Sequence, residues 1–309
     1  MRIWIYNRFN NYVYVIILIL ISFFLSTIIN IDNASATSST LSISISNSNV
    51  SMNMVVLSTN GTFAKSNESI VSVATNNATG YTLSLAARTN DSSPRALKNS
   101  SDSSATLNSI TSNIDEVDFS SLIPTADITN KWGYYFIRHG SIAQNGTHTF
   151  SPAPNTTGTI IDTTNAANPT TPNQYDLAIG ARVDDTVKLG SYTNAYLVTA
   201  VANPIPYTII YDDNTITNMP VDVNTTSQTD TVNISSNVPA KDGYTFLGWC
   251  DTNPTTTNGV DSCPTGHTVY NPNGNGTNLT YTLNRQSATN NLHLYAMWSK
   301  SGGGGTLLV

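Results

Sequence analysis

Charge is what this chain has least of. Only 10% of its residues are Asp, Glu, Lys or Arg, against roughly a quarter in soluble globular proteins. Lys and Arg together number 13, Asp and Glu 19, and the formal net charge is −6. That balance counts against nucleic acid as a partner, because phosphates demand a basic face. It disfavours anionic membrane surfaces for the same reason. Catalytic signatures are missing as well. There is no HExxH, no GxSxG and no phosphate-cradling loop. Gly302 to Gly305 lack a preceding strand and a following Lys-Ser/Thr, so they read as linker. The four histidines, His139, His148, His267 and His293, show no metal-ligand spacing. Asp184-Asp185 and Asp212-Asp213 are isolated acidic pairs of the kind that water usually satisfies. The sequence therefore offers no catalytic residue, no cofactor and no metal site. It also lacks an LPxTG-type sorting sequence and a second apolar span.

Asn, Thr and Ser supply the polarity that charge does not. They suit turns and strands, so the composition points to a mainly all-β chain with long loops. Asn-x-Ser/Thr triplets such as Asn60-Gly61-Thr62 and Asn145-Gly146-Thr147 follow from that composition and are not read as glycosylation sites.

The N-terminus departs from the rest. Arg2 and Arg8 precede an uncharged run from Val13 to Ile29, and Ala34-Ser35-Ala36 places small residues at the −3 and −1 positions of a cleavage site. A positive start, an apolar middle and a small-residue exit make a secretory signal over residues 1–36, with cleavage expected after Ala36. The alternative is a retained anchor, since 17 apolar residues lie at the short end of what crosses a bilayer. Membrane contact is expected only through this segment, if it is uncleaved. Either way the remainder is placed outside the cytoplasm.

Residues 37–203 read as strands between polar loops. Leu41, Ile43 and Ile45 alternate with serines, as in a strand with one buried face. The same period runs through SIVSVAT and through GYTLSLAA, where Tyr81, Leu83 and Leu85 share a face. WGYYFI (132–137), YDLAIGA (175–181) and GSYTNAYLVTAVA (190–202) complete the set. The stretches 89–106 and 151–174 read as loops, and 110–123 has room for a short helix. Many short strands separated by turn signals predict a β-sandwich-like domain. Pro204 and Pro206 then suggest a stiff connector over 204–206. A second block follows over 207–300, and the tail 301–309 is Gly-rich.

In that block the strand candidates YTIIYDDN, GYTFLGWCD and LHLYAMW occur in order. This order resembles the Listeria–Bacteroides repeat, or internalin B-repeat, of bacterial surface proteins. There an opening strand, a Gly–aromatic–x–aromatic–x–Gly–Trp stretch and a closing strand near Ala–x–Trp recur. The resemblance implies a small β-grasp-like module, and the insert between Trp249 and Leu292 is longer than the pattern. From the residues themselves, Tyr244, Phe246, Trp249 and Trp298 are the expected core of a sheet this small. Cys250 and Cys263, 13 residues apart across a loop, are expected to be bridged. A metal site, with His267 as a weak third ligand, and two free thiols are the alternatives.

Three functional readings follow. The first is a non-catalytic surface or envelope protein for adhesion, binding or spacing, whose partner is a glycan, a protein ligand or another envelope protein. The second is a subunit of a pilus- or coat-like assembly, with Leu41–Ile45 as a donor strand. The third is a secreted hydrolase of unrecognised type.

Overall fold

In the computed structural model the described residues are 40–56, 61–88, 93–121, 128–141, 147–212 and 217–301. The signal segment with Arg2, Arg8, Ala34 and Ala36 lies outside them. So do Asn60, Asn145, Gly146, Asp213 and Gly302 to Gly305. All described residues fall within one compact unit, and they are predominantly β-strand with almost no helix.

The first strands are β1 (Leu41–Ile45), β2 (Thr62–Lys65), β3 (Ser69–Thr75) and β4 (Tyr81–Ala87). After them come β5 (Ala96–Asn99), β6 (Thr106–Ser109) and β7 (Ile114–Asp115), followed by the one-turn helix α1 (Glu116–Phe119). The run continues through β8 (Lys131–Arg138), β9 (Thr149–Phe150) and β10 (Thr159–Thr163). It closes with β11 (Asn173–Val183), β12 (Tyr192–Thr193) and β13 (Tyr196–Ala202). The larger sheet has the order β1-β3-β11-β8-β6-β5-β12, with β2 pairing the far end of β11. A smaller sheet has the order β10-β4-β13.

One core is lined from both sheets. Val71 and Val73 of β3, Trp132, Tyr134 and Phe136 of β8, and Tyr175 and Leu177 of β11 meet Tyr81, Leu83 and Leu85 of β4. A second core lies on the other face of the larger sheet, where Tyr135 and Ala178 meet Ile110, Phe119, Ile128 and Phe150. Being covered on both faces is why β8 and β11 read as nearly continuous apolar runs instead of alternating ones. Gly180 permits the second core, because a Cβ there would stand 2.6 Å from the Phe150 ring.

Four expectations for this region are corrected. Ile43 and Ile45 are 43% and 37% exposed, because β1 is the outermost strand of its sheet. The stretches 89–106 and 151–174 are not plain loops, since they carry β5 and β10. GSYTNAYLVTAVA is two strands: β12 pairs β5 in the larger sheet, and β13 pairs β4 in the smaller. The expected connector is shorter than three residues, because β14 (Ile205–Asp212) already begins at the fully buried Ile205. Asn203 holds this junction tightly. Its Nδ2 donates to the carbonyls of Thr79 (2.8 Å) and Thr164 (2.7 Å), and its Oδ1 accepts from Thr82 Oγ1 (2.8 Å).

After β14 come β15 (Val223–Ser227), β16 (Thr231–Asn233), β17 (Tyr244–Cys250), β18 (Thr255–Thr257) and β19 (Val260–Ser262). The last three strands are β20 (Val269–Tyr270), β21 (Thr280–Thr282) and β22 (Asn290–Lys300). The main path of the sheet is β15-β14-β22-β17-β20, with β14 parallel to β22 and its other neighbours antiparallel. The pair β16–β21 is a separate two-stranded ladder. It contributes Val232, with the adjacent Ile234 and Leu283, to a core shared with Ile209, Phe246, Trp249, Leu294 and Trp298. No ladder pairs a strand of 41–202 with one of 205–300 among the described residues. The two stretches touch through Ala78 N–H, which donates to the Arg285 carbonyl at 2.7 Å.

Candidate functional site

Two places gather polar or reactive side chains. The first is built on β17. A regular strand would send Phe246 and Trp249, three residues apart, to opposite faces. The pairing of β17 with β22 instead shifts between Phe246 and Gly248: Phe246 faces Trp298, Gly248 faces Met297, and Trp249 faces Ala296. The extra residue is a β-bulge, which resets the alternation and puts both rings on the core side. Gly248 allows it, with φ of +128° and the Tyr270 carbonyl 3.0 Å from where a Cβ would sit. Trp249 is fully buried, with its ring 5.0 Å from Tyr211 and 5.4 Å from Phe246. Trp298 is buried 5.5 Å from Phe246. Tyr244 is the exception to the expected core. It stands at the first position of β17, beyond the end of the core, and is 39% exposed beneath the Lys241 ammonium.

The bulge also delivers Cys250 to the end of the strand, where it is bridged to Cys263 across a Cα–Cα distance of 5.5 Å. The bridge encloses the hairpin β18–β19, whose turn Asn258-Gly259 takes φ of 53° and 80°. Two positive φ values are what a tight two-residue hairpin needs. Next to the bridge, Asp251 accepts from Thr268 N–H at 3.1 Å, and its other oxygen lies 2.9 Å from His267 Nδ1. The two sulfurs and an Asp251 carboxylate oxygen all lie within 4.8 Å of one another. In the bridged state the sulfurs are bonded to each other and are not thiolate ligands.

The second gathering lies at the edge of the second core, on the Tyr135 face of the larger sheet. Lys65 Nζ lies 2.8 Å from Glu116 Oε1. The His148 ring stacks on Tyr135 at 4.1 Å and sits between two carboxylates, Nδ1 being 3.4 Å from Glu116 and Nε2 3.7 Å from Glu68. The Tyr135 hydroxyl donates to Glu68 at 2.7 Å. Burial, and then the bond and charge of Glu68, push the Tyr135 phenol well above its ordinary range. Burial alone would raise Glu116, but Lys65 and His148 outweigh it and leave this carboxyl below its ordinary range. A few residues along β11, Asp176 pairs with His139 Nδ1 at 2.7 Å, and that bond raises the His139 pKa. On the opposite face Arg138 and the Tyr175 hydroxyl each reach Asp162 at 2.7 Å, and Tyr81 continues the chain to Tyr175 at 2.7 Å.

All four histidines thus stand beside carboxylates, His293 beside Asp212 at 3.2 Å. Sequence spacing hides this, because the partners are 37, 32 and 16 residues apart for His139, His148 and His267. Asp184 is occupied by its own loop and by Asn130. It accepts from Thr186 Oγ1 first, then from Asn130 Nδ2 and Thr186 N–H, which hold it below the usual carboxylate range.

No known family model, curated protein or solved structure matches the chain.

Proposed function

We propose that the chain is a non-catalytic exported protein of the cell surface or envelope, serving adhesion, binding or spacing. The N-terminal order of Arg2 and Arg8, the apolar run and Ala34-Ser35-Ala36 carries this reading. The Cys250–Cys263 bridge supports it, because bridged cysteines persist in oxidising compartments outside the cytoplasm. In this reading 37–203 is a β-sandwich-like domain, supported by the core shared between its two sheets. Residues 207–300 are a B-repeat-like, β-grasp-like module, supported by a mixed sheet whose first and last strands are parallel neighbours. The partner is a glycan or a protein at the surface. Intact mass of the protein recovered from the cell envelope tests the export step: the expected species begins at Thr37, and one retaining residues 1–36 makes the segment an anchor. A glycan array then tests the ligand class.

A second reading, a subunit of a pilus- or coat-like polymer, is favoured by one observation. The edge strand β1 keeps Ile43 and Ile45 exposed on the side that faces the core. A strand so loosely covered suits exchange between copies. Size-exclusion chromatography of the mature protein separates the two readings, since a ladder of oligomers belongs to the polymer and a single species to the first.

A further inference from the structure

We propose that reduction of the Cys250–Cys263 bridge turns its surroundings into a zinc site with Cys250, Cys263, Asp251 and His267 as ligands. The proposal goes beyond the export reading: outside the cytoplasm the bridge persists, so the site forms only where a reductant reaches it.

The donor set is the first support. Two thiolates, a carboxylate and an imidazole are the ligand types zinc takes, and the thiolates disfavour calcium and magnesium. Geometry is the second. The two sulfurs and an Asp251 oxygen already lie within 4.8 Å of one another. In a tetrahedral zinc site with Zn–S near 2.3 Å, neighbouring sulfurs stand about 3.8 Å apart. The separation is therefore reached by opening the broken bridge a short way. Zn–N and Zn–O bonds near 2.0–2.1 Å place the two donor atoms about 3.4 Å apart. His267 Nδ1 and Asp251 Oδ1 stand at 2.9 Å now, while His267 lies outside the set of donors within 4.8 Å of one another, so its ring must close toward the sulfurs to complete the site.

The supports around the site differ in burial. Cys250 is fully buried and paired to Tyr295 of β22, so it is the fixed ligand. Cys263 follows an exposed hairpin, which is held to β22 by the Val260–Ser299 pair, by Lys300 N–H to the Gly259 carbonyl and by Trp298 N–H to Asp261, both at 2.8 Å, so this ligand lies on the less buried side. Thr268 N–H holds the second oxygen of Asp251 and orients the carboxylate, the role an outer hydrogen bond plays around metal ligands.

The chemistry balances as follows. A thiol or phosphine reductant supplies two electrons, and with two protons the S–S bond becomes two thiols. Zinc then binds both sulfurs as thiolates and releases those two protons to solvent. His267 coordinates through Nδ1 with its proton on Nε2. The oxidised chain has no thiolate to offer and should bind no zinc here.

The test uses the full chain, reduced with a phosphine under nitrogen, freed of reductant and titrated with zinc against a chromogenic chelator. One equivalent should bind with a dissociation constant below about 1 µM, and none in the oxidised chain. Cobalt in place of zinc should give thiolate charge-transfer bands and the intense visible bands of a tetrahedral ion. Asp251→Ala and His267→Ala keep both cysteines and should each weaken binding by about tenfold or more. Circular dichroism of the reduced chain, with and without zinc, reports the fold. The proposal is overturned by a reduced chain that binds no zinc in this range. It is also overturned by Asp251→Ala and His267→Ala chains that bind like the parent, or by a reduced chain that unfolds and does not refold with zinc.

Discussion

Replacing Trp249 with Ala removes one of the two tryptophans from the core that β17 shares with β14 and β22. A fully buried indole removes up to about 250 Å² from water, worth about 6 kcal/mol as an upper value. The methyl that remains and partial collapse of the site bring the expected loss to about 4 kcal/mol. Trp249→Phe isolates the packing contribution, since the buried indole N–H has no hydrogen-bond partner to lose. It should cost only about 1–2 kcal/mol. Calorimetry under non-reducing conditions then reads something further. If 205–301 melts by itself, about 95 residues share the entropy and 4 kcal/mol lowers its melting temperature by about 20 °C. If 40–301 melts as one cooperative unit of about 260 residues, the same loss gives about 7 °C. Separate ladders and separate cores favour the larger shift in one of two transitions. A Trp249→Ala chain that melts within about 2 °C of the parent would refute the core assignment and make this ring an exposed platform.

Asn203→Ala should destabilise by about 2–4 kcal/mol and lower the transition of the 40–202 stretch, because it removes the donor to the carbonyls of Thr79 and Thr164; calorimetry of the variant checks it. His139 should titrate above its ordinary value in NMR, and Asp176→Asn should return it. The pair's contribution is present below the unfolded histidine value and fades as pH rises through the raised folded one. Glu116 has the opposite sign. Its pairing with Lys65 contributes above the unfolded carboxyl value and is lost as pH falls through the lower folded one, so Lys65→Met should raise the Glu116 midpoint measured by NMR.

Period-two alternation made β3 and β4 legible, since each buries every second side chain. The aromatic and apolar runs at β8 and β11 were legible as strands, but their burial on two faces was not. That needs the second core, whose Phe119 and Phe150 arrive from distant segments. β10 was hidden because Ile160 is 67% exposed and the strand is held by its ladder to β4, a backbone interaction that side-chain pattern does not encode. The bridge was legible from two cysteines in one polar block. Its companion Asp251 was not, because the carboxylate counts only once the Thr268 segment folds back against it. The histidine–carboxylate pairs were hidden in the same way, each being made by strands or loops that meet only in the sheet.

The parallel pairing of β14 with β22 has a mechanical consequence. The chain enters this block at the Tyr207–Asn290 end of the pair and leaves beyond its Asp212–Tyr295 end. Tension between the entering and leaving chain therefore runs along both strands in opposite directions. Every hydrogen bond from Tyr207–Asn290 to Asp212–Tyr295 is sheared at once, so none can be peeled in turn from one end. Loaded together, these bonds must yield in one event, so the block behaves as a stiff link up to a threshold force and then gives way all at once.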